Sequence, residues 1–447
     1  MTDKRSRPRI PLSTLDELFI HLDEPRLPVT IHLEVRVDTQ LDEERLRDAA
    51  RLAASRHPQA RARLRPTKSS AQPFEWLIDP VPTVDPVRSI SADDSADLDA
   101  VRSAFFSEPI PLHDSPPFRI LAVHTGDGDL LMLSTHHSVA DGVGCLRLLQ
   151  SIGRAYAKVS DPMPDIDPAE AVRLALPLHE RASADQVHEQ QLADRLREGQ
   201  PVVPSLARLR ARPARLARKE SSAAPGYVMH TMSLPVAPLV SSPLRHRVGA
   251  TVNDVLFAAS HRAVERWNTQ HHESPEHVSI SMAENARPHA WRNEVVANLF
   301  AAQRVTTTKD QRESPESCLV AVARRTDEVK QLGIGEGLAA PTRGLIGGTT
   351  ERRGLGKRVR AAVGYMADTM AVSNNGQFPA DWIDSREFPV TEMRGSPPTV
   401  GTGLGIGAMS IHDTLFLVLR NSPEVMSAGA LASFGEVLRA EIVALQD

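Results

Sequence analysis

Two cysteines in 447 residues, Cys145 and Cys318, are too few for a disulfide framework or a zinc site of paired cysteines, and they fit a reducing compartment. Aromatic residues make up only 4% of the chain, and the formal net charge is -4. Few stacking platforms and no excess of positive charge disfavour nucleic acid as a partner. No apolar run is long enough to span a bilayer, and Lys4, Arg5, Arg7 and Arg9 precede no apolar stretch that could form a signal-peptide core. The expectation is a cytoplasmic protein with peripheral membrane contact left open. Two catalytic loops are missing as well: there is no Gly-x-Ser-x-Gly for a serine nucleophile and no Gly-x4-Gly-Lys-Ser/Thr to cradle a nucleotide phosphate. Gly403-Leu404-Gly405-Ile406-Gly407-Ala408 loosely matches a dinucleotide fingerprint, but Met409–Leu419 reads as strand where a helix should receive the pyrophosphate. Flexible backbone near a ligand, or a strand bulge, is the better expectation there.

What remains is a mixed α/β chain too long for one hydrophobic core, so two subdomains are expected. Hydrophobic residues at 41% and charged residues at 24% are ordinary for a globular protein. Thr30–Val37 alternates apolar and polar residues as a half-buried strand does, and Leu46, Ala49, Ala50 and Ala53 then recur at helical spacing. Phe118–Thr125 and Leu130–Thr135 flank Gly126-Asp127-Gly128-Asp129, which predicts a hairpin. After Gly142, the positions Val143, Leu146, Leu149, Ile152 and Tyr156 predict a helix. Patterning decays between 159 and 226, where Arg208, Arg210, Arg212, Arg215, Arg218 and Lys219 form a basic stretch. The second half restarts with a strand at Tyr227–Leu234 and a helix at Val252–Trp267, whose Thr251 and Asp254 have capping-box spacing. The expected organisation is residues 1–158, a partly helical linker 159–226, and residues 227–447, as a pair of α/β or α+β layers facing one another.

The chemistry concentrates in His136-His137-Ser138-Val139-Ala140-Asp141-Gly142, on a predicted strand-to-helix turn. Adjacent strand residues point to opposite faces, so one histidine should face a reaction and the other pack inward. A neutral imidazole, with pKa near ~6.5, can take a proton from a hydroxyl or amine attacking a carbonyl. Asp141 could pair with a cation and lock the turn. Gly142 would permit close backbone approach or an unusual φ.

This stretch resembles the superfamily of chloramphenicol acetyltransferase, carnitine acyltransferases, plant acyl-CoA-dependent acyltransferases and nonribosomal peptide synthetase condensation domains. Pro11–Phe19 looks like the opening of the bacterial wax ester synthase/diacylglycerol acyltransferase branch. Leu41–Leu64 resembles the first helix of condensation-type enzymes, while Ser115-Pro116-Pro117-Phe118 and Thr251–Leu256 are similar to two further motifs of that branch. The chain departs from the branch at Asn298, after Ala297, where Gly is usual, and around Arg287, where the motif is usually more apolar. The resemblance implies two chloramphenicol-acetyltransferase-like subdomains arranged as a pseudo-dimer with a tunnel between them. It implies His137 as general base with His136 packed behind it, Asp141 as a structural carboxylate with Arg287 its partner, and Gly142 as a backbone donor near the oxyanion. Arg287, Asn298, Ser373 and Asn374 are expected on the substrate side, the last two on a small polar turn.

The implied reaction moves an acyl group from a thioester to a small-molecule alcohol or amine. Acyl-CoA, or a phosphopantetheine-linked donor on an acyl or peptidyl carrier protein, would be co-substrate; no metal and no tightly bound cofactor are implied. A free-standing condensation enzyme of the nonribosomal-peptide type, and a catalytically silent binding module, are the competing expectations.

Overall fold

The structure, a computed structural model, describes residues 8–66, 74–92, 97–162, 213–287, 294–332, 354–383 and 385–446. Most of the expected linker, with Arg208, Arg210 and Arg212 of the basic stretch, lies outside the described residues.

Two large sheets organise the chain. The first has the order β12-β2-β7-β6-β5, formed by Val390–Ser396 (β12), Thr30–Val37 (β2), Gly128–His136 (β7), Phe118–Thr125 (β6) and Val87–Ser91 (β5). The second has the order β10-β9-β11-β13-β14-β8, formed by Phe300–Thr308 (β10), His277–Asn285 (β9), Met370–Phe378 (β11), Gly405–Ile411 (β13), Thr414–Asn421 (β14) and Val228–Pro235 (β8). A small third sheet joins Arg9–Pro11 (β1), Glu75–Ile78 (β4) and Ala62–Leu64 (β3).

Strand β7 is buried along its whole length because it is covered on both faces. Leu131 and Leu133 join the core made with helices Glu43–Arg56 and Gly142–Ala157. Leu130 and Met132 point the other way, against Phe105, Phe106, Met229 and Val418. That second cluster mixes residues of both sheets, so the seam between lobes is itself a hydrophobic layer. Full burial also explains why this strand reads as a continuous apolar run and not as an alternation.

Two features tie the lobes together. Helix Leu98–Phe106, from the first lobe, lies along β8, the free edge of the second sheet. The edge N–H groups of Tyr227, Met229 and Thr231 donate to Ser107 Oγ (2.7 Å), Ser103 Oγ (3.0 Å) and Asp99 Oδ2 (3.1 Å). Four residues of helix rise about 6 Å and two residues of strand about 6.8 Å, so the two spacings stay in step and the edge is sealed.

In the other direction, β12 leaves the C-terminal half and pairs antiparallel with β2, Arg394 opposite Glu34 and Ser396 opposite His32. Where β12 passes over β13, backbone meets backbone: a Cβ on Gly407 would stand 1.7 Å from the carbonyl oxygen of Gly395. The Gly403–Gly407 run therefore accommodates a crossing strand. This replaces the expectation of flexible backbone near a ligand or a bulge, because Gly405–Ile411 is a regular strand paired on both sides.

Candidate functional site

The site forms at the inner end of β7, where the first lobe meets segment 294–300 of the second. His136 ends the strand and His137 opens the turn. Their side chains diverge, as adjacent positions require. His136 is fully buried; its Nδ1 accepts from Ser138 N–H (3.1 Å) and contacts Ser138 Oγ (2.8 Å), and its Nε2 lies 3.5 Å from the Asp23 carboxylate. His136 thus shapes the turn.

The turn is closed by Asp141, the N-cap of helix Gly142–Ala157. Oδ1 of Asp141 accepts from Gly144 N–H (2.8 Å) and Arg287 Nη2 (2.9 Å), and Oδ2 from Arg287 Nη1 (2.8 Å) and Leu299 N–H (2.8 Å). A carboxylate offers about four acceptor sites, and all are taken. Burial by itself would raise the pKa of Asp141; the Arg287 guanidinium and the backbone donors outweigh that and hold it below the usual carboxylate range. Asp141 thus ties the turn to both Arg287 and the Leu299 backbone.

Arg287 stands opposite it. Its Nε donates to Val295 O (3.2 Å), its Nη2 also to Val295 O (2.9 Å) and Ala297 O (2.7 Å), and its Nη1 also to Asn285 Oδ1 (3.2 Å). With its side chain sealed from solvent, the guanidinium's donors are spent on holding segment 295–299 against the turn. The approach is close enough that a Cβ on Gly144 would lie 3.0 Å from both the nitrogen and the oxygen of Ala297. Gly144 is thus the close-approach glycine. Gly142, expected to permit close backbone approach or an unusual φ, begins the helix with φ outside the left-handed region, and the Asn375 side chain stands over it, 3.5 Å from where a Cβ would be.

Segment 295–299 delivers Asn298 to His137. The Asn298 Nδ2 donates to Asp16 Oδ1 (3.0 Å) and to His137 O (2.5 Å), both groups that accept. Its Oδ1 must therefore face His137 Nδ1, 3.2 Å away. An amide oxygen only accepts, so Nδ1 carries the hydrogen and Nε2 of the neutral ring keeps its lone pair. Asn298 accordingly orients the imidazole. Phe19 stacks on the ring at 3.8 Å and 15°, with Phe300 at 5.5 Å.

The lobes bury His137 to 6% exposure. His32, His57, His136 and His261 each carry a sealed ring nitrogen with no hydrogen-bond partner; His137 does not, and no described residue bonds its Nε2. Burial lowers the pKa of His137 to about 4, against the opposing pull of its own carbonyl, of Asp141 and of Asn298. The ring is neutral at pH 7 and able to accept a proton.

Ser373 and Asn374 lie on β11, not on a turn, with a register break between Asn374 and Gln377. The break lets polar residues continue a strand beyond the point where the apolar pattern stops. The Asn374 Nδ2 donates to Asn253 Oδ1 (3.3 Å), and its Oδ1 accepts from Gly376 N–H (2.9 Å). Neither residue joins the His137 cluster by a hydrogen bond among the described residues. Sequence reasoning assigned no role to Asp16, Phe19, Asp23, Gly144, Phe300 or Asn375. Only Asp16 left a signal, as the third residue of a Ser13 capping box. Among the described residues no three His, Cys, Asp or Glu side chains could hold a metal, and no helix is long and apolar enough to cross a membrane.

Comparison with known proteins identifies the fold and the family. An uncharacterized protein of Mycobacterium tuberculosis, Rv2305, is 28% identical over 436 residues, covering 96% of this chain and 97% of that protein. The first condensation domain of the CDA synthetase superposes with a TM-score of 0.71 at 18% identity, covering 98% of this chain and 96% of that one. A variant of the starter condensation domain of rhizomide synthetase, solved in complex with C8-CoA, gives 0.66 at 13% identity, covering 98% and 95%. The fold is therefore that of the condensation domains, with two chloramphenicol-acetyltransferase-like lobes. Residues 29–296, from the strand that opens the first sheet to the segment gripped by Arg287, match the model of the Condensation domain, and the chain belongs to this family of acyl-transferring enzymes.

Proposed function

We propose that this chain moves an acyl group from a thioester to the hydroxyl or amine of a small-molecule acceptor, with His137 as general base. The observation that carries the reading is the orientation of one ring. Nδ1–H is committed to Asn298, and Nε2, with its lone pair, is the nitrogen left for a substrate.

In this mechanism the acceptor's O–H or N–H group attacks the thioester carbonyl while Nε2 removes its proton. The tetrahedral oxyanion is met by the Gly142 amide, at the positive end of helix Gly142–Ala157. Collapse expels the thiolate, and the imidazolium returns the proton to it. No covalent acyl-enzyme is needed. A positioned base contributes about 10²- to 10⁴-fold, so binding of both substrates and oxyanion stabilisation supply the rest.

CoA thioesters and carrier-bound phosphopantetheine thioesters share the reacting group, and the solved starter domain with C8-CoA supports the first as donor. The stretch Pro11–Phe19 favours ester formation of the wax ester synthase type. The test is product mass spectrometry with acyl-CoA and acyl-carrier donors against pooled alcohols and amines. Wild-type protein is expected to give an ester or amide, and His137→Ala to lose most turnover with its melting temperature kept. Wild-type turnover in His137→Ala, or ligand binding without product across the panel, rejects the reading.

A further inference from the structure

We propose that the acceptor reaches His137 through a fork in the second sheet, between β9 and β11, and that the Glu284 carboxylate beside the fork selects an acceptor bearing a cationic group, a protonated amine. The inference rests on the reading of the chain as an acyltransferase with His137 as base.

The strand pairing defines the fork. β9 and β11 are neighbours for three residues only, Ile280–Met282 against Met370–Val372. Beyond Met282, β9 stays with β10 as far as Asn285; beyond Val372, β11 stays with β13 through Asn374. Ala283 is exposed although β9 is an interior strand of the sheet, so solvent reaches the sheet where the branches part.

Both branches lead to the histidine turn. Asn285, at the tip of β9, accepts through Oδ1 from Arg287 Nη1 (3.2 Å), and Arg287 grips Asp141. From β11, the Asn375 side chain stands over Gly142. The fork therefore straddles the turn 137–142 and opens toward it.

Side chains alternate along each branch, so Glu284 and Asn374 share the helix-covered face with Met282 and Val372. Asn253, at the start of helix Val252–Gln270, bridges the branches on that face: its Nδ2 donates to Met282 Sδ (3.7 Å) and its Oδ1 accepts from Asn374 Nδ2 (3.3 Å). Glu284 takes no part. Its half-buried carboxylate makes no hydrogen bond or ion pair among the described residues, and Lys330, whose charge pulls on it, stands 3.9 Å from Asp327 instead. Burial raises the Glu284 pKa, as it does for a charge without a close counter-ion.

That charge decides which substrate the fork suits. A phosphopantetheine donor carries phosphate, which a carboxylate repels; a protonated amine is attracted and brings the N–H donors that Glu284 lacks. The attacking nitrogen or oxygen must be neutral, so the ammonium is a second group on the acceptor and stays in the product.

The test uses acyl-CoA as donor and two acceptor pairs of equal length, an amino alcohol with its plain alkanol and a diamine with its monoamine. Kinetics, acceptor binding by calorimetry and melting temperature are read in wild type, Glu284→Gln, Ala283→Leu and His137→Ala. Wild type should show a KM lower by about tenfold for the ammonium-bearing member of a pair, the scale of a hydrogen bond to a charged group. Glu284→Gln should erase that difference with kcat and the KM of the plain member kept, and with no fall in melting temperature, because a carboxylate without a partner adds no stability. Ala283→Leu, which narrows the fork, should raise the KM of every acceptor and leave that of acyl-CoA. A wild type with no preference for the ammonium, a preference that survives Glu284→Gln, or a rise in the acyl-CoA KM in place of the acceptor's in Ala283→Leu overturns the proposal. A calorimetric preference that is lost in Glu284→Gln, found with no product or with full turnover in His137→Ala, keeps the fork and removes the base reading instead.

Discussion

The two lobes are joined along seams built on opposite plans. Near His137, a carboxylate and a guanidinium saturate each other and pin segment 295–299. Along β8, the hydroxyls of Ser103 and Ser107 and the Asp99 carboxylate accept from alternate backbone N–H groups of an edge strand. The first plan fixes position: a buried bidentate pair has one good geometry and a large penalty for any other. The second plan satisfies hydrogen bonds and seals an edge: each serine hydroxyl donates back to its own helix turn, Ser103 to Asp99 O and Ser107 to Ser103 O, and accepts from the strand. The fully saturated bidentate pair stands where the segment bearing Asn298 is held against the turn bearing His137.

Substitutions can break or sharpen that contrast. The largest effect is expected from Asp141→Asn, which sets an NH2 group against fixed donors and strands Arg287. Loss of one partner of a buried pair costs about 3–5 kcal/mol, so both melting temperature and turnover should fall, and an unchanged melting temperature would remove Asp141 from its structural role.

Next comes acid. Burial depresses the pKa of His32 and His137 to about 4, and of His57 and His261 to about 3. The unfolded chain titrates these rings near ~6.5, so below that pH it binds more protons than the folded state. Stability from this source is complete above 6.5 and declines as pH falls toward 4. The measurement is melting temperature against pH, beside kcat/KM, whose acid limb should lie near 4; a limb near 6.5 would mean that the ring is not buried as described.

A smaller effect is expected at the β8 seam. Ser103→Ala orphans the Met229 N–H, a cost of about 1–3 kcal/mol, with kcat unchanged. Catalytic loss without loss of stability there would erase the distinction between the seams. Smallest of all, Arg51→Ala, which removes the exposed ion pair with Asp48, should leave the thermal midpoint in place.

Legibility in the sequence follows the range of the interaction. The hairpin before His136, the helix after Asp141 and the Thr251–Asp254 capping box are local, and their signals lie within a few residues. Strand β12, Val-Thr-Glu-Met-Arg-Gly-Ser, has no clean alternation, because Glu392 and Arg394 pair with each other and with Arg36 and Glu34 across the neighbouring strand. Its partner is more than 350 residues away in the chain, and no local pattern encodes that. At the site, the HHxxxDG spacing marked the turn. The contact between Asp16 and Asn298 stayed hidden because a capping residue gives no sign of a distant partner until the far lobe is brought beside it.

The path of β12 bears on how the protein can be made and divided. As the chain emerges from its amino end, Thr30–Val37 stays bare on one side until residues 390–396 arrive. Unpaired strand borders of this kind recruit other chains, so the early product of synthesis is exposed to aggregation for most of translation. Cutting the gene at the linker would not yield two self-sufficient pieces: the first would lack its outer strand, and the second would carry that strand with nothing to pair it.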